Sequence, residues 1–129
     1  MLKLPAQVIS SWEERQGPCV FTTVDDQGIP NTVYVTCVQM YGEGAFVIAD
    51  NKFSKTKNNI LKGSKGSLLF ITKDSKAFQI KGNIEYQTNG DAYDDMKQWL
   101  DPKYPGHGAT VLHVKEIYSG AEKICEDAQ

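Results

Sequence analysis

Apolar residues along this 129-residue chain recur with two different periods. Leu4, Val8, Ile9 and Trp12 fall at helical spacing and Pro5 suits a first turn, which predicts a helix over 4–16 that Gly17 and Pro18 end. Six runs of strand-like length follow: CVFTTV, NTVYVTCVQM, AFVIA, GSLLFIT, AFQIKGNIEYQT and ATVLHVKEIYSG. In the second run, Val33, Val35, Cys37 and Gln39 are expected on one face, with Thr32, Tyr34, Thr36 and Val38 on the other. The polar stretches DDQGIP, YGEG and KDSK read as turns, and Gly82 inside the fifth run predicts a bulge or bend. Two more helices are expected. One spans about residues 55 to 62 and stops at Gly63; the other lies in NGDAYDDMKQWL, with Asp91 as its N-cap and Tyr93, Met96, Trp99 and Leu100 on one side.

Strands joined mostly by hairpins imply an antiparallel sheet, and closing it into a small barrel removes exposed edges. The fold class expected is therefore mainly β, a barrel with flanking helices in a single domain over 1–129. No repeat, low-complexity tract or linker interrupts it.

Composition narrows the function. A net charge of −2 argues against a dedicated nucleic-acid binder. No apolar run approaches the roughly 20 residues that span a bilayer. The N-terminal MLKLPAQVISSW lacks the continuous apolar core of a signal peptide, so a soluble cytoplasmic protein is expected. The three cysteines, Cys19, Cys37 and Cys125, contain no CxxC pair; Cys19 and Cys37 sit in apolar contexts and are expected to be buried thiols. His107 and His113 have no cysteine near them in sequence, so no zinc site is expected.

The chemistry concentrates in ADNKFSKTKNNILKG, Ala49 to Gly63. From Asn51 to Lys73 the chain carries six lysines and no acid. A helix starting near Ser54 would present free backbone N–H groups, and Ser54, Thr56 and Lys55 would add hydroxyls and a charge, the ingredients of a phosphate site. The plainer reading is that Ser54 caps the helix and the lysines are solvated. Asn31, Thr32 and Asn51 offer hydrogen bonds beside Val33 and Tyr34, a mixture that suits a flat ring with polar edges.

The ordered set IPNTVYV, FVIADNKFSKTKNNI, GSLLFI and FQIKGNIEYQT, after a first helix and hairpin, resembles the pyridoxamine 5′-phosphate oxidase-like, FMN-binding split-barrel family, especially its small bacterial FMN-binding proteins. The resemblance implies a six-stranded split barrel and a homodimer with FMN at the subunit interface. It implies that Ser54, Lys55 and Thr56 hold the FMN phosphate, supported by Asn59. Asn31, Thr32 and Val33 would run beside the ribityl chain and ring, and Ala49, Asp50 and Asn51 would meet the ring's polar edge. The loop with Tyr104 and His107 would approach a flavin of the partner subunit, although a surface histidine is the plainer reading of His107.

The implied function is an FMN-dependent oxidoreductase or electron carrier with a small-molecule redox partner. A true pyridoxamine 5′-phosphate oxidase is not expected, because such enzymes extend into arginine-bearing segments and Arg15 is this chain's only arginine. Two alternatives stay open. One is a barrel using another ligand, such as a deazaflavin. The other is a single-stranded nucleic-acid binder, with Lys52, Lys55, Lys57, Lys62 and Lys65 tracking phosphates and Tyr34 and Phe53 stacking on bases.

Overall fold

A computed structural model describes residues 2–126. In chain order the elements are α1 (Ala6–Glu13), β1 (Cys19–Val24), β2 (Pro30–Val35), β3 (Val38–Tyr41), β4 (Ala45–Asp50), α2 (Lys55–Leu61), β5 (Gly66–Ile71), β6 (Ala77–Gln87), α3 (Asp91–Trp99), β7 (Gly108–Ser119) and β8 (Glu122–Glu126). Every strand pair is antiparallel. The strands run in the order β2-β1-β5-β6-β7-β4-β3, and β8 continues the β7 edge beyond β4.

That order requires a curled sheet. β2 and β3 stand at its opposite ends, yet only Thr36 and Cys37 join them. A two-residue connection can link the two ends only if the sheet curls round on itself, which is the split barrel expected from the sequence. The corner is a tight turn, with the Val38 N–H donating to the Thr36 carbonyl at 3.2 Å.

The described chain has eight strands rather than six. NTVYVTCVQM is two strands, because the corner falls inside it, and β8 is a short half-exposed edge strand. The corner also shifts the alternation. Val35 and Val38 are both buried while Gln39 is exposed, so the facing expected for Val38 and Gln39 is reversed. Asp91 opens α3 but does not cap it; Gly90, at a φ of 104°, holds the cap position. Gly63 ends α2 at positive φ, as expected. The predicted irregularity at Gly82 is a register shift between Lys81 and Gly82.

Two apolar clusters hold the fold. Inside the barrel, Trp12 of α1 meets Phe46 and Phe70 edge-on, at 5.0 and 5.1 Å between ring centroids, and Phe21, Leu68, Ile80 and Leu112 surround them. On the outer face, Ala92 and Met96 of α3 and Leu100 just after it lie over Ala45, Val47, Ala49, Ala109 and Val111. Strand β4 is thus covered on both faces and buried at every position, which is why AFVIAD reads as a nearly continuous apolar run. Its last residue, Asp50, is the exception that positions the site.

Candidate functional site

At the C-terminal end of β4 the chain turns through Asn51–Ser54 into α2. The turn is braced from several directions. Asp50, only 2% exposed, accepts the Phe53 N–H on Oδ1 at 2.9 Å and the Tyr86 hydroxyl on Oδ2 at 2.6 Å. Its backbone carbonyl accepts the His107 N–H at 2.8 Å. Asn51 Oδ1 accepts the Gly106 N–H at 3.0 Å. The buried carboxylate is satisfied by these donors rather than by a cation. Burial first, and then the bond to Asp50, raise the pKa of Tyr86, so its phenol stays a donor throughout the neutral range. Gly108 makes room for that ring: a Cβ there would stand 2.4 Å from the Tyr86 hydroxyl.

Helix α2 is tied down on its other side. Asn31 Nδ2 donates to Thr56 Oγ1 at 2.9 Å, and Asn59 Nδ2 donates to Thr23 Oγ1 at 3.0 Å. Since Thr56 accepts from Asn31, its own hydroxyl proton is left to donate to something else. Ser54 occupies the N-cap position but makes no side-chain capping bond, so the plain capping reading does not account for it. With seven residues, α2 is a short dipole, and lysine and hydroxyl groups must carry most of any anion binding.

These elements enclose a cavity of about 660 Å³ between the Asn51–Thr56 turn, the β2–β3 corner and the loop before β7. One wall is apolar, from Val33, Val35, Ala49 and Phe53, with the Phe53 ring stacked on Phe21 at 6.3 Å. Another is polar, from Asn31, Asn51, Ser54 and Thr56. Lys52, Lys55 and Lys103 border it, and no acidic residue does. The lining thus sets cations and neutral donors beside an extended apolar face.

Of the residues expected from the sequence, Asn31, Val33, Ala49, Asn51, Ser54, Lys55, Thr56 and Tyr104 line this cavity together. The other four do not. Thr32 points outward and shares a 3.0 Å hydroxyl bond with Thr22. Asp50 and Asn59 are buried braces behind the wall. His107 contributes its backbone, and its side chain is exposed. Tyr104 and His107 sit in a loop fixed to the turn of their own chain through Asn51 and Asp50.

Sequence reasoning missed Lys103 and Cys37 as cavity residues. Lys103 could have been found beside Tyr104 in the same loop. Cys37, expected to be buried, is half-buried because it stands at the corner; Cys19 is buried as expected. His113 is exposed and pairs with Glu85 at 2.9 Å. Among the described residues no cluster of three or more potential metal ligands occurs, and no helix is long and apolar enough to cross a membrane.

Comparison with known proteins agrees with this architecture. A relative from Methanocaldococcus jannaschii, the uncharacterized protein MJ0282, is 29% identical over 125 residues, covering 92% of this chain and 82% of that protein. HupZ of Group A Streptococcus superposes with a TM-score of 0.78 at 20% identity, covering 98% of this chain and 99% of its own. An FMN-binding protein of Syntrophomonas wolfei gives 0.69 at 19% identity, covering 83% and 76%. An F420 reductase gives 0.68 at 15% identity, covering 89% and 98%. The sequence profile of pyridoxamine 5′-phosphate oxidase matches residues 6–120. With nearly the whole barrel inside that match, the chain belongs to the pyridoxamine 5′-phosphate oxidase family.

Proposed function

We propose that the cavity binds FMN and that the protein is a small flavin-dependent oxidoreductase or electron carrier. The observation that carries this reading is the cavity's division of labour: an apolar wall for a ring, and Ser54, Lys55 and Thr56 converging at one end with no acid among the lining residues. In this reading Ser54, Lys55 and Thr56 hold the phosphate. The β2 segment Asn31–Val33 runs beside the ribityl chain, and Ala49 and Asn51 meet the ring's polar edge. Asp50 and Asn59 act from behind as positioning residues. Because Phe53 N–H and the Tyr86 hydroxyl occupy both Asp50 oxygens, this carboxylate is kept off the ring, where its charge would oppose reduction.

When bound, FMN would supply the redox chemistry; the chain binds it, orients it and tunes it by hydrogen bonds and local charge. No cavity side chain is arranged as an obligatory acid or base. A homodimer, with the second copy closing the open side of the cavity, belongs to the same reading, as does action in the cytoplasm on a small-molecule redox partner. The likeness to an F420 reductase supports a second reading, a deazaflavin in the same cavity.

Titration of the purified protein with FMN, followed by flavin fluorescence, tests the proposal. Lys55→Ala with Thr56→Ala removes two phosphate bonds of about 1.5–3 kcal/mol each and is expected to weaken binding at least tenfold without unfolding the chain. An unchanged dissociation constant would reject the assigned phosphate site. Tighter uptake of the deazaflavin in a parallel titration would select the second reading.

A further inference from the structure

The junction of β6 and β7 builds a second hollow on the outer face of the sheet. Lys81 stands opposite Glu116 and Gly82 opposite Val114, so Lys115 is an extra residue on β7. An extra residue breaks the alternation of a strand. Val114 and Ile117 both point into the core, which leaves Lys115 and Glu116 side by side on the outside. Gly82 holds the strands close here, since a Cβ would lie 1.9 Å from the His113 carbonyl oxygen.

The hollow measures about 410 Å³ and shares no lining residue with the cavity at the end of β4. Lys65 and Lys81 line it together with one acid, Glu116. That acid is divided between Lys81 at 4.0 Å and Lys123 at 3.7 Å. Lys65 has no ion pair among the described residues. Ser67 accepts a bond from Gln79 Nε2 at 3.2 Å, so its hydroxyl proton remains to donate, and Asn83 adds an exposed amide.

We infer that this hollow is a second anion site, which takes the phosphate or pyrophosphate group of a small ligand through Lys65 and Lys81, with Ser67 and Asn83 as neutral donors. Lysine ammonium groups serve as point charges for phosphate, and Lys65 and Lys81 border one concave space rather than a flat solvated face. The volume suits a small molecule. The site is independent of the flavin reading.

The test is calorimetric titration with pyrophosphate, on a Lys55→Ala, Thr56→Ala background so that the cavity beside β4 does not compete. Saturable binding is expected, weakened about tenfold by Lys65→Ala and by Lys81→Ala separately. Lys73→Ala, which removes a lysine outside the hollow, is expected to leave it unchanged. Inorganic phosphate and a dinucleotide serve as further arms, to separate a free anion from a ligand-borne pyrophosphate. No saturable binding, equal weakening by all three lysine substitutions, or an effect of neither Lys65→Ala nor Lys81→Ala would overturn the assignment. So would tighter, Lys65-dependent binding of an oligothymidylate, which would make the hollow part of a nucleic-acid track.

Discussion

The two ends of β4 are built by opposite means. At its start, Phe46 meets the Trp12 ring edge-on and is sealed in the barrel core by apolar contact alone. At its end, Asp50 is equally buried but held by directed bonds from Phe53, Tyr86 and, through its carbonyl, His107. Apolar packing stabilises without fixing one arrangement of atoms to better than a rotamer. Hydrogen bonds to a buried carboxylate stabilise less but set angles and distances. The first end holds the barrel shut, and the second holds a turn in one shape so that Asn51, Ser54 and Lys55 face a common space. Stability and position are thus assigned to different ends of one strand.

Substitutions at the two ends can break this contrast. Trp12→Ala is expected to have the largest effect, about 3–5 kcal/mol lost in urea unfolding, with FMN affinity of the remaining folded protein unaltered. A cost below about 1 kcal/mol would mean that the sealed end is not what stabilises the barrel. Asp50→Ala should cost less, about 1–3 kcal/mol, because it leaves the Phe53 N–H and the Tyr86 hydroxyl without partners. It should also weaken FMN binding, which Trp12→Ala should not; an Asp50→Ala protein with unimpaired affinity would deny the turn its positioning role. Asn31→Ala sharpens the comparison further. Its only described side-chain bond goes to Thr56, so stability should fall by about 1 kcal/mol or less while FMN affinity falls several-fold.

The last expected effect is confined to alkaline solution and leaves stability near neutral pH untouched. Burial raises the Cys19 thiol from its ordinary 9.0 to about 11, with the Arg15 guanidinium opposing. An acid whose folded pKa is the higher one keeps its proton longer when folded, so the unfolded chain binds fewer protons between these values. Stability from this group is complete below pH 9 and is lost as pH rises toward 11. Cys19→Ala should therefore flatten the alkaline decline in stability measured by urea unfolding, and an identical slope would show that the thiol is not the group responsible.

The sequence revealed the elements better than the corners between them. The β4 run, the polar segment after it and the Gly63 stop were legible because each has a local cause: burial on both faces, a sudden loss of apolar residues, a positive φ. The bend at Thr36–Cys37 was not legible. It carries no glycine or proline, and apolar residues continue through it, so the alternation ran on smoothly while the chain turned. β8 was missed because its residues, Glu122–Glu126, are exposed or half-exposed and carry the charges of an edge strand. In the cavity, the neighbours in sequence, Ser54 to Thr56, were found. Lys103 and Cys37 were not, because only the closed barrel and the Asn51–Gly106 bond bring them there. Asp50 was found for its location, yet its burial and its bond to Tyr86, 36 residues away, depend on strand register that composition does not encode.

The most direct test is an amide ¹H–¹⁵N spectrum of the protein titrated in parallel with FMN and with riboflavin, which lacks the phosphate. FMN should shift the amides of Ser54, Lys55 and Thr56 together with Asn31 and Val33, and riboflavin should bind more weakly and leave the Ser54–Thr56 amides in place. If FMN moves none of these, or moves instead the amides around Lys65 and Gly82, the phosphate is not held where β4 gives way to α2.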